Sequence, residues 1–402
     1  MTATAVRKKT VSLSRKMQCY LALEDFEREA RRCLPRMLYG FIAGAAETNA
    51  ALQNNRKSFE QIGFRPRVLT NVSSRSTKAT LFGKDYAAPF GIAPMGAAAL
   101  CAFRGDLALA RAAAASQIPM IVSGSSLIRL EEIRDAAPTA WYQAYWPGDV
   151  DRIAPALKRV AAAGFETLVV TTDVPLPANR ENNVRNGFQL PIVLTPQVVW
   201  DTASHPQWFV RTLLQTLVRH GMPHFENMEA TRGPPVFSSN LTRNASMRDQ
   251  LSWEHVAFVR RLWKGPLLLK GILSKDDAKL ARECGVDGLI VSNHGGRQLD
   301  CAAAPLEVLP EILDQAGGMT VMIDGSIRRG TDVLKALALG ARFVFVGRPF
   351  LFAAVAGGEA GVRRAIALLA EEVDRDMGLL GITSLAGMTS GLLHRTSGHF
   401  LG

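Results

Sequence analysis

Cysteine is scarce in this 402-residue chain, and what there is does not pair: Cys19, Cys33, Cys101, Cys284 and Cys301 are five, scattered, with no C-x-x-C spacing. That excludes a disulfide framework and a structural zinc site, and it fits a reducing cytoplasm. No stretch approaches the roughly 18 uninterrupted apolar residues of a membrane-spanning helix. Aromatics are 7% of the chain, and they are not interleaved with a basic stripe, as single-strand nucleic-acid grooves require. Nor is there a G-x-G-x-x-G after a strand pattern, a G-x-x-x-x-G-K-[ST] or an H-E-x-x-H. His220 and His224 are separated by Gly221 and Pro223, a poor helix for metal ligation. Neither a nucleic-acid partner nor a metal is expected.

What the chain has is apolar mass, 48% of residues, and an excess of positive charge, +11. The first permits a large buried core. The second favours an acidic partner: an anionic substrate, a phosphate-bearing cofactor or an anionic membrane surface. Arg7, Lys8, Lys9, Arg15 and Lys16 carry part of it in residues 1–18, which read as a flexible basic arm with no signal-peptide hydrophobic region after it. Residues 19–402 read as a single domain.

Eight short β-branched or aromatic runs end in glycine or polar residues: 90–95, 119–124, 140–146, 167–173, 266–271, 288–293, 320–325 and 343–348. Helical periodicity follows each, at 105–116, 130–137, 150–163, 252–263, 275–284, 306–316, 331–339 and 360–377. Eight βα units with near-continuous apolar strands predict an α/β fold, a closed (β/α)8 TIM barrel. A helical lead-in at 23–46 and an excursion after strand 4, at 174–251, lie outside the repeat. The excursion far exceeds ordinary βα loops. Its segment 206–219 is apolar and basic, with Trp208 and Phe209 at one end; it reads either as a helix in a membrane interface or as a helix packed on its own barrel.

Active sites of such barrels form at the C-terminal ends of strands. Those ends carry Ser123, Gln143 and Tyr145, Thr171 and Asp173, Lys270, His294 with Arg297, Asp324, and Gly347-Arg348. Asp324-Gly325-Ser326-Ile327-Arg328 and Gly347-Arg348 follow strands 7 and 8, the recurrent phosphate position, where glycine permits close approach and arginine supplies a two-pronged donor. Asp324 would accept bonds from a sugar chain or from loop amides. Lys270 ends a buried strand, where a cation needs an anion or ligand opposite. His294 beside Arg297 places a base next to a carboxylate anchor, and Asp173 would orient the imidazole. These residues describe proton abstraction from a carboxylate substrate.

The run Ser292-Asn293-His294-Gly295-Gly296-Arg297-Gln298-Leu299-Asp300, with Tyr142-Gln143-Ala144-Tyr145, Leu269-Lys270-Gly271, the Asp324 loop and Gly347-Arg348-Pro349, resembles the FMN-dependent L-2-hydroxy acid dehydrogenase and oxidase family. Within it the likeness is to mandelate and L-lactate dehydrogenases. The resemblance implies FMN at the barrel mouth, against Pro94, Met95 and Gly96. It also implies Lys270 near flavin N1 and O2, and Ser123, Gln143, Thr171 and Ser292 toward the ring. Asp324, Gly325, Ser326, Arg328, Gly347 and Arg348 then fall at the ribityl-phosphate end. It further implies His294 as base, Asp173 supporting it, Tyr145 at the substrate hydroxyl, and Arg180 with Arg297 at the carboxylate. A small 2-hydroxy carboxylate, a membrane quinone or other electron acceptor, attachment to the inner face of the membrane and a homotetramer are implied as well. Phe41 stands where the family usually has a tyrosine, and Met95 where a small hydroxylated residue is common. Two further readings are therefore kept: a bulkier or non-standard acid, and a flavin-binding protein without catalysis.

Overall fold

The computed structural model describes residues 15–188, 193, 195–236, 238 and 247–395. Eight strands are arranged as the repeat predicts: β1 Phe90–Ile92, β2 Ile121–Ser123, β3 Trp141–Ala144, β4 Leu168–Thr171, β5 Leu267–Ile272, β6 Gly288–Val291, β7 Thr320–Asp324 and β8 Phe343–Val346. Neighbours pair in parallel from β2 through β8 and on to β1. A single parallel bridge between Ile92 and Met120 brings β1 to β2 and closes the barrel.

Side chains alternate across each strand, so consecutive residues belong to different cores. Ile121, Trp141, Val169, Leu268, Ile290, Met322, Phe343 and Phe345 fill the barrel interior. Their neighbours, among them Val122, Val170, Leu269, Val291, Ile323 and Val344, face outward and pack under the helices. Both faces are buried, which is why the strands read as continuous apolar runs. A hairpin, Ala79–Leu81 with Lys84–Tyr86, plugs the N-terminal end of the barrel. Phe82 meets Trp141 edge-on at 5.8 Å and Tyr86 meets Phe343 at 5.9 Å, both residues at the starts of their strands. Ligands are left the opposite end.

The barrel helices are Gly105–Ala115, Leu130–Ala136, Val150–Ala162, Trp253–Leu262, Lys275–Glu283, Pro305–Ala316, Gly330–Ala338 and Arg348–Leu379. The last begins at Arg348 rather than at residue 360. It is two helices joined at a kink, where Gly357 and Gly358 leave helical geometry, and the periodicity at 360–377 covers only the second. The lead-in is also divided: Leu23–Cys33 and Arg36–Ala43 are parted by extended Leu34, the conformation a following proline imposes. Residues 1–14 lie outside the described residues. Arg15–Gln18, assigned to the flexible arm, form a helical turn whose Met17 is buried against Gly357. A third lead-in helix, Ala50–Glu60, and the pairing of Ile62–Phe64 with Leu393–Arg395 had no periodic signal.

The excursion after β4 is about half helical in its described parts. Glu181–Arg185 and Pro196–Ala203 are followed by a helical path through Pro206–Trp208, Phe209–Leu214 and Gln215–His220, the middle of it π-helical. Among the described residues, no helix is long and apolar enough to cross a membrane.

Candidate active site

Two-residue steps from the barrel's inner layer generate the polar layer above it. Ile121 leads to Ser123, Trp141 to Gln143 and Tyr145, Val169 to Thr171 and Asp173, Leu268 to Lys270, Ile290 to Ser292 and His294, Met322 to Asp324, and Phe345 to Gly347. The strand ends and this alternation together explain why residues far apart in sequence converge on one mouth.

A cleft of about 800 Å³ opens there. Of the residues named from sequence, Pro94, Met95, Gly96, Tyr145, Lys270, His294, Arg297, Asp324, Gly325, Ser326, Arg328, Gly347 and Arg348 line it. Ser123, Gln143, Thr171 and Ser292 are buried and lie off its wall, Asp173 stands behind His294, and Arg180 stands behind Arg297.

The loop after β6 is fixed at almost every residue. Ser292 Oγ accepts from Lys270 Nζ at 2.8 Å and from the His294 backbone at 3.0 Å. Asn293 exchanges two side-chain hydrogen bonds with buried Asn55, at 2.7 and 2.8 Å, and accepts from Gly296 N. Gly296 packs so closely on Leu52 that a Cβ would lie 2.6 Å from its backbone nitrogen. Asp300 accepts from Thr48 and Ala51. His294 is thereby held at φ 58°, a conformation costly for a non-glycine residue.

His294 Nδ1 lies 3.1 Å from Asp173 Oδ1, and Nε2 lies 3.4 Å from Tyr145 Oη. An ionised carboxylate only accepts, so Nδ1 carries the hydrogen and Nε2 presents its lone pair toward the cleft. Burial pulls the imidazole below its usual range, aided by nearby Lys270 and Arg180 and opposed by Asp173. Burial raises Asp173, but its hydrogen bond with His294 and the nearby Lys270 charge outweigh this and hold its carboxyl low. The resting pair is a neutral imidazole against a carboxylate. Lys270 Nζ reaches Asp324 Oδ2 at 3.1 Å; the Asp324 and Asp173 charges outweigh burial, and the ammonium is raised.

Guanidiniums crowd the mouth. Arg297 donates to the carbonyls of Phe41, Ile42 and Gly44. Arg348 donates to those of Ile42, Gly44 and Gly295. Arg180 donates to the Arg297 carbonyl and Gln298, and Arg328 to the Ile327 carbonyl. None of the four makes an ion pair among the described residues, and burial lowers all of them, Arg348 to about 10. Buried cations without carboxylates are costly, and anions in the cleft relieve that cost. The positive end of the helix Arg348–Leu379, capped by Gly347, opens onto the same space.

The site fits FMN on its own chemistry. Gln143 Nε2, Thr171 Oγ1 and Asp324 Oδ1 are buried at the mouth without hydrogen-bond partners, a donor and acceptor set suited to a flavin's polar edge and ribityl chain. Arg328, Arg348 and the helix end suit its phosphate. Among the described residues, no three or more His, Cys, Asp or Glu side chains are grouped to hold a metal.

Phe41 lines the cleft, stacked on Phe188 at 4.3 Å with the Arg297 guanidinium 5.0 Å from its ring. Tyr39 turns away, its hydroxyl 3.4 Å from Glu27, and so supplies no substitute hydroxyl. Sequence reading missed Asn55, and it missed Asp332, which grips Arg56 through two 2.7 Å bonds and accepts from the amides of Arg328 and Arg329. Each is one polar residue within an ordinary helical pattern, and only the packing gives it meaning.

The comparisons agree with this geometry. The family model described as FMN-dependent dehydrogenase matches residues 30–395. (S)-mandelate dehydrogenase of Pseudomonas putida is 38% identical over 368 residues, covering 90% of this chain and 92% of that one. L-lactate dehydrogenase of Pectobacterium atrosepticum is 38% identical over 374 residues, 92% and 95% of the two chains. Among solved structures, the monotopic membrane protein (S)-mandelate dehydrogenase superposes with a TM-score of 0.86 at 36% identity, covering 94% of this chain and all of that one. With barrel, cofactor cradle and sequence in accord, this chain belongs to the FMN-dependent dehydrogenases that act on 2-hydroxy acids.

Proposed function

We propose that the chain oxidises an L-2-hydroxy acid, of the class of L-lactate or mandelate, to the 2-oxo acid, with His294 as the base. The observation that carries this reading is the neutral His294 held by Asp173 beside half-buried Arg180 and Arg297, which lack carboxylate partners among the described residues. His294 Nε2 takes up the substrate proton, and the Asp173 carboxylate stabilises the imidazolium that results. Tyr145 Oη, 3.4 Å from Nε2, contacts the substrate hydroxyl. Arg180 and Arg297 orient the carboxylate. Bound FMN supplies the two-electron acceptor. Lys270, Ser123, Gln143, Thr171 and Ser292 would hold the flavin ring, and Asp324, Gly325, Ser326, Arg328, Gly347 and Arg348 would hold its ribityl-phosphate end.

Anaerobic mixing of the FMN-loaded protein with a panel of such acids tests this: at least one bleaches the flavin absorbance. Bleaching by none contradicts catalysis and leaves a flavin-binding protein. Phe41, backed by Phe188, and Met95 give the cleft an apolar wall, which favours an acid bulkier than lactate.

The same reading places a membrane quinone or other membrane-side acceptor downstream and attaches a homotetramer to the inner face of the membrane. Exposed Val210, Leu214, Leu217 and Val218 on the Pro206–His220 path, with Trp200 76% exposed, support the contact. So does the monotopic relative.

A further inference from the structure

A further guanidinium, set against the cleft-lining Tyr145, comes from the end of the excursion and has no role in the reading above. The chain returns to the barrel at Met247, whose carbonyl accepts from Gly148 N at 2.7 Å and from Gln250 N at 3.2 Å. Gly148, in the loop that follows Tyr145, lies so near Gln250 that a Cβ would be 2.3 Å from its carbonyl carbon. Met247 is at φ 66°, and the turn Arg248–Gln250 is closed by Leu251 N to the Arg248 carbonyl. This turn sets the Arg248 guanidinium 5.0 Å from the centroid of the Tyr145 ring. Cation and ring attract, so Arg248 is held there.

Its Nε and Nη2 are buried without a hydrogen-bond partner, and among the described residues it makes no ion pair. Arg152, whose charge also acts on it, is already paired with Glu229. Tyr145 thus carries a guanidinium over its ring, while Arg180 is bonded to the Arg297 carbonyl and Gln298 among the carboxylate anchors. Arg180 and Arg297 suffice for one carboxylate. Arg248 is a further cation, two of its nitrogens buried, set against the same substrate-contacting ring, and a monocarboxylate leaves it uncompensated.

We propose that Arg248 is a specificity residue that pairs with a second anionic group on the substrate, so that the chain prefers a 2-hydroxy dicarboxylate. The inference rests on the 2-hydroxy acid reading above and narrows it. A charge-assisted bond to a buried guanidinium contributes about 1.5–3 kcal/mol, which converts to about ten- to a hundredfold in kcat/KM.

Anaerobic flavin reduction by L-malate, L-2-hydroxyglutarate, L-lactate and L-mandelate, in the wild type and in Arg248→Met and Arg248→Lys, tests it. The methionine keeps the packed stem and removes the charge; retained flavin absorbance shows that each variant is folded. The wild type is expected to favour one of the dicarboxylates, and Arg248→Met to lower the dicarboxylate-to-lactate ratio of kcat/KM by about tenfold or more, with Arg248→Lys between. A ratio unchanged within about twofold in Arg248→Met, or a wild type that oxidises the monocarboxylates and neither dicarboxylate, overturns the inference and leaves the underlying reading intact. If all four acids fail to bleach the wild-type flavin, the underlying reading falls and takes the inference with it.

Discussion

His294 is pulled in two directions: burial, Lys270 and Arg180 favour the neutral ring, while Asp173 favours the charged one, and the neutral side prevails. A base depressed below the 6.5 of free imidazole is in its working form above that depressed value. The rate of flavin reduction is therefore expected to rise with pH through an inflection below 6.5 and to be flat from there past neutrality. An inflection above that value would contradict the stated balance. Phe41 permits a second test. Phe41→Tyr adds a hydroxyl beside Arg297 and is expected to lower KM for L-lactate by about tenfold, the worth of one charge-assisted bond; an unchanged KM would show that the position does not reach the carboxylate. Chemistry-bearing residues were legible wherever they stood at strand ends, because the barrel assigns those positions to the site. Asn55 and Arg248 were not, since one is a polar residue in a helix and the other closes an irregular segment of the excursion, where no period applies.

At the level of elements, strands with both faces buried and the helices that cover them announced themselves by period. What escaped was short or interrupted: the three-residue strands of the plugging hairpin, and the first part of the last helix, which Gly357 and Gly358 separate from the rest. The Pro206–His220 path combines the two readings made of its sequence. Trp208 is buried and donates to the Leu100 carbonyl, while Val210 and Val218 are 53% and 75% exposed. One face packs on the barrel and the other is left apolar toward solvent. Val210→Ser with Val218→Ser is expected to reduce co-sedimentation with anionic vesicles. The change in folding stability should stay within about 0.5 kcal/mol per site, as at other exposed positions. Undiminished sedimentation would remove this surface from the account.

The described residues form a barrel with a cluster of positive charge at its open end. Arg180, Arg297, Arg328 and Arg348 are half-buried there, and each is bonded to neutral groups. Such a barrel is stabilised by the anion it holds. FMN at a hundred times its Kd adds about 2.7 kcal/mol to the folded state, which for a chain of this length raises Tm by about 3 °C. A Tm indifferent to FMN would contradict the fit of the cradle. The central claim is that His294 takes the substrate proton, and rapid mixing reads it directly. With an acid that bleaches the wild type anaerobically, His294→Asn is expected to retain FMN and to reduce it about 10²- to 10⁴-fold more slowly. Reduction within about tenfold of the wild-type rate would contradict the claim.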